Sequence, residues 1–257
     1  MKDKINPPKT KVPFGFQDVD PEDKHHLVRD VFDRVASRYD GMNDFMSAGI
    51  HRLWKRSFVA EIPKRSRLHL LDVAGGTGDI AFRYLNSLSA TNSETRVTIC
   101  DINQKMLNVG QKRALKHRLP FLPEWVCGDA LQLPIPSRSI DVYTIAFGLR
   151  NVTDIPQALS EAYRVLKPGG LFLCLEFSQI TLPLLDQLYT KYAFQVIPLI
   201  GQLVAKDRAA YQYLVESIAR FPNQETLVQM LENAGFKHIT YKNLSGGTAA
   251  IHKGWRV

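Results

Sequence analysis

Apolar residues along the chain alternate between two rhythms, and the alternation describes a fold. Leu68 to Val73 (LHLLDV) is a short apolar run ending in a glycine loop. That is the pattern of a strand buried on both faces and feeding a helix, here one that begins near Asp79. The pairing recurs downstream. Arg96 to Cys100 reads as a strand, Gln104 to Lys116 as a helix, Glu124 to Val126 as a short strand and Ile140 to Ala146 as a strand. Pro156 to Val165 reads as a helix stopped by Lys167-Pro168-Gly169-Gly170, and Leu171 to Phe177 as the next strand. Such alternation through short connections predicts βαβ units, right-handed crossovers and a doubly wound, mainly parallel α/β sheet.

The two ends break the rhythm. Pro7, Pro8, Pro13 and Pro21 among lysines suit an extended arm over residues 1–22, mobile or draped over the core. From Asp23 to Lys55 the pattern is helical, with Val28, Val31, Phe32, Val35, Ala36 and Tyr39 recurring at threes and fours before Gly41, which predicts an N-terminal helical cap. Helical stretches follow the parallel strands over Leu182 to Ile197, Ala209 to Ala219 and Gln224 to Asn233. Phe236 to Leu244 and Thr248 to Trp255 then flank Ser245-Gly246-Gly247, the signature of a C-terminal antiparallel hairpin. The expected organisation is an arm over 1–22 and one domain over 23–257. Within that domain a cap spans 23–66, and an α/β core spans 67–257 with a helical insertion at 182–222.

Composition narrows the setting. A chain of 257 residues, 45% hydrophobic and 23% charged, suits one large globular domain. The formal charge of +8 favours an anionic partner, nucleic acid or an acidic membrane surface, yet the basic residues are scattered and those from Lys105 to Arg118 read as a solvated helix face. Cys100, Cys127 and Cys174 lie in or beside apolar runs without CxxC or Cys/His spacing; they read as buried core thiols of a reducing compartment, and no metal site is expected. No apolar run reaches the ~18 residues that span a bilayer. The N-terminus, with Asp3 and Asp18 and no arginine before Arg29, does not read as a secretory or transit segment.

The chemistry concentrates at the first strand end. Gly76-Thr77-Gly78-Asp79-Ile80-Ala81 matches the G-x-G-x-x-A nucleotide fingerprint, with an acid, Asp101, ending the next strand. An NAD-dependent reductase and a ligand-free tight turn share that pattern. Charge separates the cofactors, because Asp72 and Asp79 bracket the loop and would repel a pyrophosphate. S-adenosylmethionine carries a sulfonium and an α-ammonium, so both acids become attractive. Asp101 suits the two ribose hydroxyls, and Asp129-Ala130 follow the third strand, where an acid accepts from an adenine amino group. Asp129 as a simple turn or helix-cap residue remains open.

These residues carry a resemblance to a known family. FGFQDV (14–19), VFDRVASRYDGMND (31–44), SAGIHRLWK (47–55), LDVAGGTGDIAFR (71–83), FGLRNVTD (147–154), RVLKPGG (164–170), LEFS (175–178) and RFPNQETL (220–227) resemble the ubiquinone and menaquinone C-methyltransferases, within the seven-stranded class I S-adenosylmethionine methyltransferases. CDIN (100–103), TIAFG (144–148), LCLEFSQ (173–179) and YLVESI (213–218) are more similar to the mitochondrial branch than to the bacterial one. The resemblance implies methyl transfer from S-adenosylmethionine to a ring carbon of 2-methoxy-6-polyprenyl-1,4-benzoquinol, with demethylmenaquinol as an alternative acceptor. It implies cofactor contacts at Thr77, Asp101, Asp129 and Ala130; bacterial members often carry serine where this chain has Ala146. It further implies a peripheral place on the anionic matrix face of the mitochondrial inner membrane, beside other ubiquinone-biosynthesis proteins in a complex. A bacterial cytoplasm and a homodimer are left open.

C-methylation needs a ring made nucleophilic as a hydroxyl loses its proton. Arg150, after the fourth strand, is the candidate to stabilise a developing phenolate or order the water that takes the proton; its pKa above ~12 makes it a poor direct base. Asn151 would orient the same water or ring oxygen. A plain arginine–carboxylate clamp is the alternative for Arg150. Tyr39, Asp40, Asn43 and Asp44 are lid candidates, and Phe194 to Val204 is a candidate surface for the polyprenyl tail or a membrane. His51 is as consistent with a surface helix as with a functional role. A noncatalytic assembly subunit is the competing class. FGLR stands where amino-group methylases of nucleic acids carry an NPPF-like tetrapeptide, which disfavours a nucleic-acid partner.

Overall fold

The computed structural model describes residues 11–35, 49–88, 94–180 and 208–257. Its centre is a seven-stranded sheet in the order β5-β4-β3-β6-β7-β9-β8, built from β3 (His69–Val73), β4 (Arg96–Asp101), β5 (Glu124–Cys127), β6 (Ile140–Ala146), β7 (Leu166–Phe177), β8 (Lys237–Leu244) and β9 (Ala249–Trp255). β3, β4, β5, β6 and β7 run parallel, whereas β9 pairs antiparallel with both β7 and β8. The antiparallel end is the hairpin expected from the sequence. The inner parallel strands β3, β4, β6 and β7 are mostly buried, which is why their sequences hold continuous apolar runs rather than alternating ones, whereas the edge strand β5 is partly exposed.

Helices cover both faces. On one lie α2 (His51–Ala60), α3 (Asp79–Leu85) and α4 (Gln104–Lys116), whose Phe58, Tyr84 and Leu107 join Leu70 and Ile99 in one apolar cluster. On the other lie α5 (Ile155–Val165) and α7 (Gln224–Asn233), packing Leu159 and Leu231 against Leu71 and Phe172. Side-chain caps start three of these helices: Asn103 on α4, Asp154 on α5 and Asn223 on α7. Each satisfies backbone N–H groups that no earlier turn can bond.

The N-terminal segment departs from the expected extended arm. Within it, β1 (Val12–Phe14) and β2 (Gln17–Val19) form a hairpin, and α1 (Pro21–Val35) begins at Pro21, whose fixed φ suits a first helical position. Pro13 is tolerated because a two-stranded ribbon leaves its missing N–H at an edge. The hairpin rests on α6 (Arg208–Arg220): the Phe14 ring stacks on Tyr213 at 4.4 Å, and Arg220 pairs with Asp18 at 2.7 Å. A third apolar cluster, Val31 with Tyr211, Leu214 and Val215, joins α1 to α6. β7 begins five residues earlier than expected, since Leu166 pairs with Ile140 ahead of an irregularity in the ladder. Cys100 and Cys174 are buried as expected, but Cys127 is exposed, because it ends the edge strand β5. The lid candidates at 39–44, the stretch at 194–204 and the predicted helix at 182–197 lie outside the described residues.

Candidate active site

The sheet order reverses between β3 and β6, so the loops leaving their C-terminal ends diverge and open a crevice. The cleft there is lined by all the cofactor candidates except Gly78: Asp72, Gly76, Thr77, Asp101, Asp129 and Ala130. Gly78 stands just behind, opening α3 with φ 86°. Two non-glycine residues at the strand ends, Ala74 (φ 51°) and Phe147 (φ 55°), adopt the left-handed region. That backbone is held by its surroundings; a Cβ on Gly148 would run into the Ala74 methyl, so the two switch loops touch only because residue 148 has no side chain.

Asp72 ends β3 fully buried at the floor of the cleft. Its Oδ1 accepts from the Thr144 hydroxyl at 2.8 Å, while Oδ2 lacks a hydrogen bond of normal geometry. Burial raises its pKa to about 7, against the Thr144 hydroxyl and the Ala81 amide, which favour the carboxylate. A buried acid with a vacant oxygen calls for a cationic donor group. Asp101 is held rigidly, Oδ2 accepting from Gly76 N and Oδ1 from Asn103 N, both at 2.8 Å. Burial lifts it to about 6, and each oxygen keeps capacity to accept a further hydrogen bond. Asp129 uses Oδ1 to accept from Leu131 N at 2.9 Å, a local turn bond that fixes the side chain.

Asp79 opens α3 and lines the cleft, but its charge is already taken. It pairs with Lys55 at 2.7 Å and Arg83 at 2.9 Å, and although burial would raise its pKa, these cations hold it below the usual carboxylate range. The cleft's unneutralised acids are therefore Asp72, Asp101 and Asp129. Thr77 also points elsewhere, its hydroxyl accepting from Arg113 at 2.7 Å, which ties the glycine loop to α4.

The opposite wall is the loop after β6. Asn151 lines the cleft, fixed by the Tyr213 hydroxyl on its Oδ1 at 3.0 Å and by its own Nδ2 donating to Phe147 O at 3.4 Å. Arg150, expected to face the reacting ring, turns away into a second cleft behind the loop. Its Nη1 donates to both Glu176 oxygens at 3.0 Å and to Phe147 O at 2.6 Å, with its side chain 4% and that of Glu176 1% exposed. A guanidinium so enclosed braces the loop and does not touch a ligand in the first cleft. His51 is buried and does not line the cleft either.

Several cleft residues were not among the sequence candidates. Lys55 is a buried lysine on α2, Val28 and Arg29 come from α1, and Met106 comes from α4. Only Val28 carried a signal, its place in the helical apolar stripe. Among the described residues no group of His, Cys, Asp and Glu is arranged to hold a metal.

The sequence matches the ubiE/COQ5 methyltransferase family over residues 19–256. It is 54% identical over 244 residues to the ubiquinone/menaquinone biosynthesis C-methyltransferase UbiE of Paracoccus denitrificans, covering 95% of this chain and 96% of the relative. It is 49% identical over 270 residues to the mitochondrial 2-methoxy-6-polyprenyl-1,4-benzoquinol methylase of Dictyostelium discoideum, covering 95% and 86%. Among solved structures, a SAM-dependent methyltransferase of Thermotoga maritima superposes with a TM-score of 0.59 at 21% identity, over 88% of this chain and 98% of its own, a likeness of fold. Kinship along nearly the whole sequence removes the dehydrogenase alternative, and the protein belongs to the ubiE/COQ5 family of S-adenosylmethionine-dependent methyltransferases.

Proposed function

We propose that the chain methylates a ring carbon of 2-methoxy-6-polyprenyl-1,4-benzoquinol, the acceptor lying between the bound donor and the loop that carries Phe147 and Asn151. The observation that carries this reading is the vacant Oδ2 of Asp72 at the floor of a cleft whose opposite wall is a hydrogen-bonded Asn151. When bound, S-adenosylmethionine supplies an electrophilic methyl on a sulfonium. The residues present fit it. Asp72 would take the α-ammonium, Asp101 the ribose hydroxyls, and Asp129 with Ala130 the adenine edge, while Gly76 lets the backbone lie close beneath.

For the acceptor, the chain orients a ring and eases loss of a hydroxyl proton. Asn151, its amide fixed at both ends, is the group placed to hold the ring oxygen or the water that takes its proton. Arg150 acts through that loop as a positioning residue. Phe147 and Ala146 give the wall an apolar face suited to an aromatic ring. The motifs shared with the mitochondrial branch support work at the matrix face of the inner membrane beside other enzymes of the pathway. The contact proposed is peripheral; no helix among the described residues is long and apolar enough to cross a membrane.

The test is turnover of a short-tailed 6-prenyl-2-methoxy-1,4-benzoquinol with S-adenosylmethionine, the product read by mass. Gain of one ring methyl supports the reading. Methylation of demethylmenaquinol alone would replace the acceptor, and donor binding without transfer to either would overturn it.

A further inference from the structure

Behind the Arg150 loop lies a second cleft of about 240 Å³, lined by Lys24, Arg150, Val152, Tyr213, Arg220 and Met230 among others. Its peculiarity is Lys24. This lysine of α1 is 2% exposed, and its ammonium donates to one acceptor, the Val152 carbonyl at 2.9 Å. Among the described residues, two of its three N–H donors have no protein acceptor. No carboxylate among the described residues offsets its charge, and burial lowers its pKa to about 8. The cleft's other charges are accounted for: Arg150 is taken by Glu176, Arg220 by Asp18, and Asp154, exposed at the rim, caps α5. Arg150 Nε is a second buried donor without an acceptor. An enclosed ammonium with donors to spare is destabilising unless an anion completes it.

We propose that this second cleft binds a phosphate group carried on an apolar body, with Lys24 as its anchor. The remaining lining, Pro13, Ile155, Pro156, Phe221, Pro222 and Met230, supplies the apolar contact. Lys24 precedes Val28 by one helical turn, and Val152 walls both clefts, so the site lies next to the methyl-transfer cleft without sharing its acids. The phosphate has two sources, a lipid headgroup or a soluble phosphate compound.

The experiment measures thermal melting of the full chain and of Lys24→Met, a neutral side chain of similar length. Each is titrated with inorganic phosphate, with dihexanoyl phosphatidic acid below its micelle concentration, and with chloride at matched ionic strength. A saturable rise in melting temperature with phosphate and lipid alike assigns the phosphate group itself; a rise with the lipid alone assigns a lipid source. In either case Lys24→Met weakens the affinity at least about tenfold. The ligand-free variant melts at or above the parent temperature, because an uncompensated buried charge is gone. Equal responses of parent and variant, or no response beyond that to chloride, would overturn the proposal, and a ligand-free variant that melts lower would show that Lys24 is held for structure.

Discussion

At the scale of single residues, the site is governed by what burial does to Asp72. Its carboxyl titrates near 7 and that of Asp101 near 6, both raised by desolvation. A cationic donor is held by the ionised forms, so binding releases protons and strengthens as pH rises. Below pH 7 affinity for S-adenosylmethionine should fall by up to about tenfold per pH unit as Asp72 protonates, with a further decline once Asp101 joins. Asp72→Asn should weaken binding roughly ten- to a hundredfold at pH 8 and keep only the lower, Asp101 step. Calorimetric titration between pH 5.5 and 8.5 decides it; a variant that retains the full pH dependence would remove Asp72 from the donor site. The sign for the ligand-free protein is opposite. A folded-state pKa above the unfolded one means that the stability these two groups contribute is greatest at low pH and is lost as pH rises toward 7. Asp72, Asp101 and Asp129 were legible because strand ends in a doubly wound sheet have a fixed address. Lys24 and Lys55 were not, because a lysine in a helical pattern reads as solvated and nothing local says that a neighbouring element will cover it.

Elements fix what residues alone leave open. Arg150 and Glu176 stand 26 positions apart, on the loop after β6 and near the end of β7, and only the pairing of those strands brings them together. The sequence offered both a catalytic arginine and a clamp, and the choice rested on that long-range contact. Removing one partner of so buried a pair leaves an uncompensated charge, so Glu176→Gln should destabilise the fold by about 3–5 kcal/mol in urea. Arg150→Met should reduce kcat on the order of a hundredfold while donor affinity stays near parental, since a loop displaced by an ångström misplaces Asn151. Loss of donor binding in step with kcat would argue for direct contact instead. α4 carries a second element-scale demand. Gly110 sits mid-helix, where alanine would ordinarily add about 1 kcal/mol of helix stability. A Cβ there would meet the Trp125 ring of β5 and the backbone of Thr77. Gly110→Ala should therefore destabilise by about 1–3 kcal/mol, overpacking outweighing propensity, and a stabilised variant in the same urea titration would show that α4 can shift away.

For the whole molecule, the division of the core decides what can move. Two apolar clusters, one on each sheet face, hold β3 to β9 with α2 to α5 and α7, and these were the parts the sequence described best; α7 even matches its expected bounds, Gln224–Asn233. The third cluster, between α1 and α6, has its own buried residues and meets the first through Ile218, which packs against both. The β1–β2 hairpin that clasps it went unread because two strands of three residues, one holding a proline, carry almost no pattern. Yet α1 supplies Val28 and Arg29 to the donor cleft, and α6 supplies the Tyr213 hydroxyl that fixes Asn151. A unit with its own small core can open without unfolding the sheet, because local stability follows the apolar surface buried within each cooperative unit. Amide hydrogen exchange read by mass should then find α1 and α6 exchanging faster than β3, β6 and β7 in the ligand-free protein. S-adenosylmethionine should slow α1 selectively, and Phe14→Ala, which removes the stack on Tyr213, should speed both helices and leave the sheet unchanged. Uniform exchange across helices and sheet, or protection by the donor confined to the strand ends, would mean that α1 is part of one rigid body and that the cleft is entered without its movement.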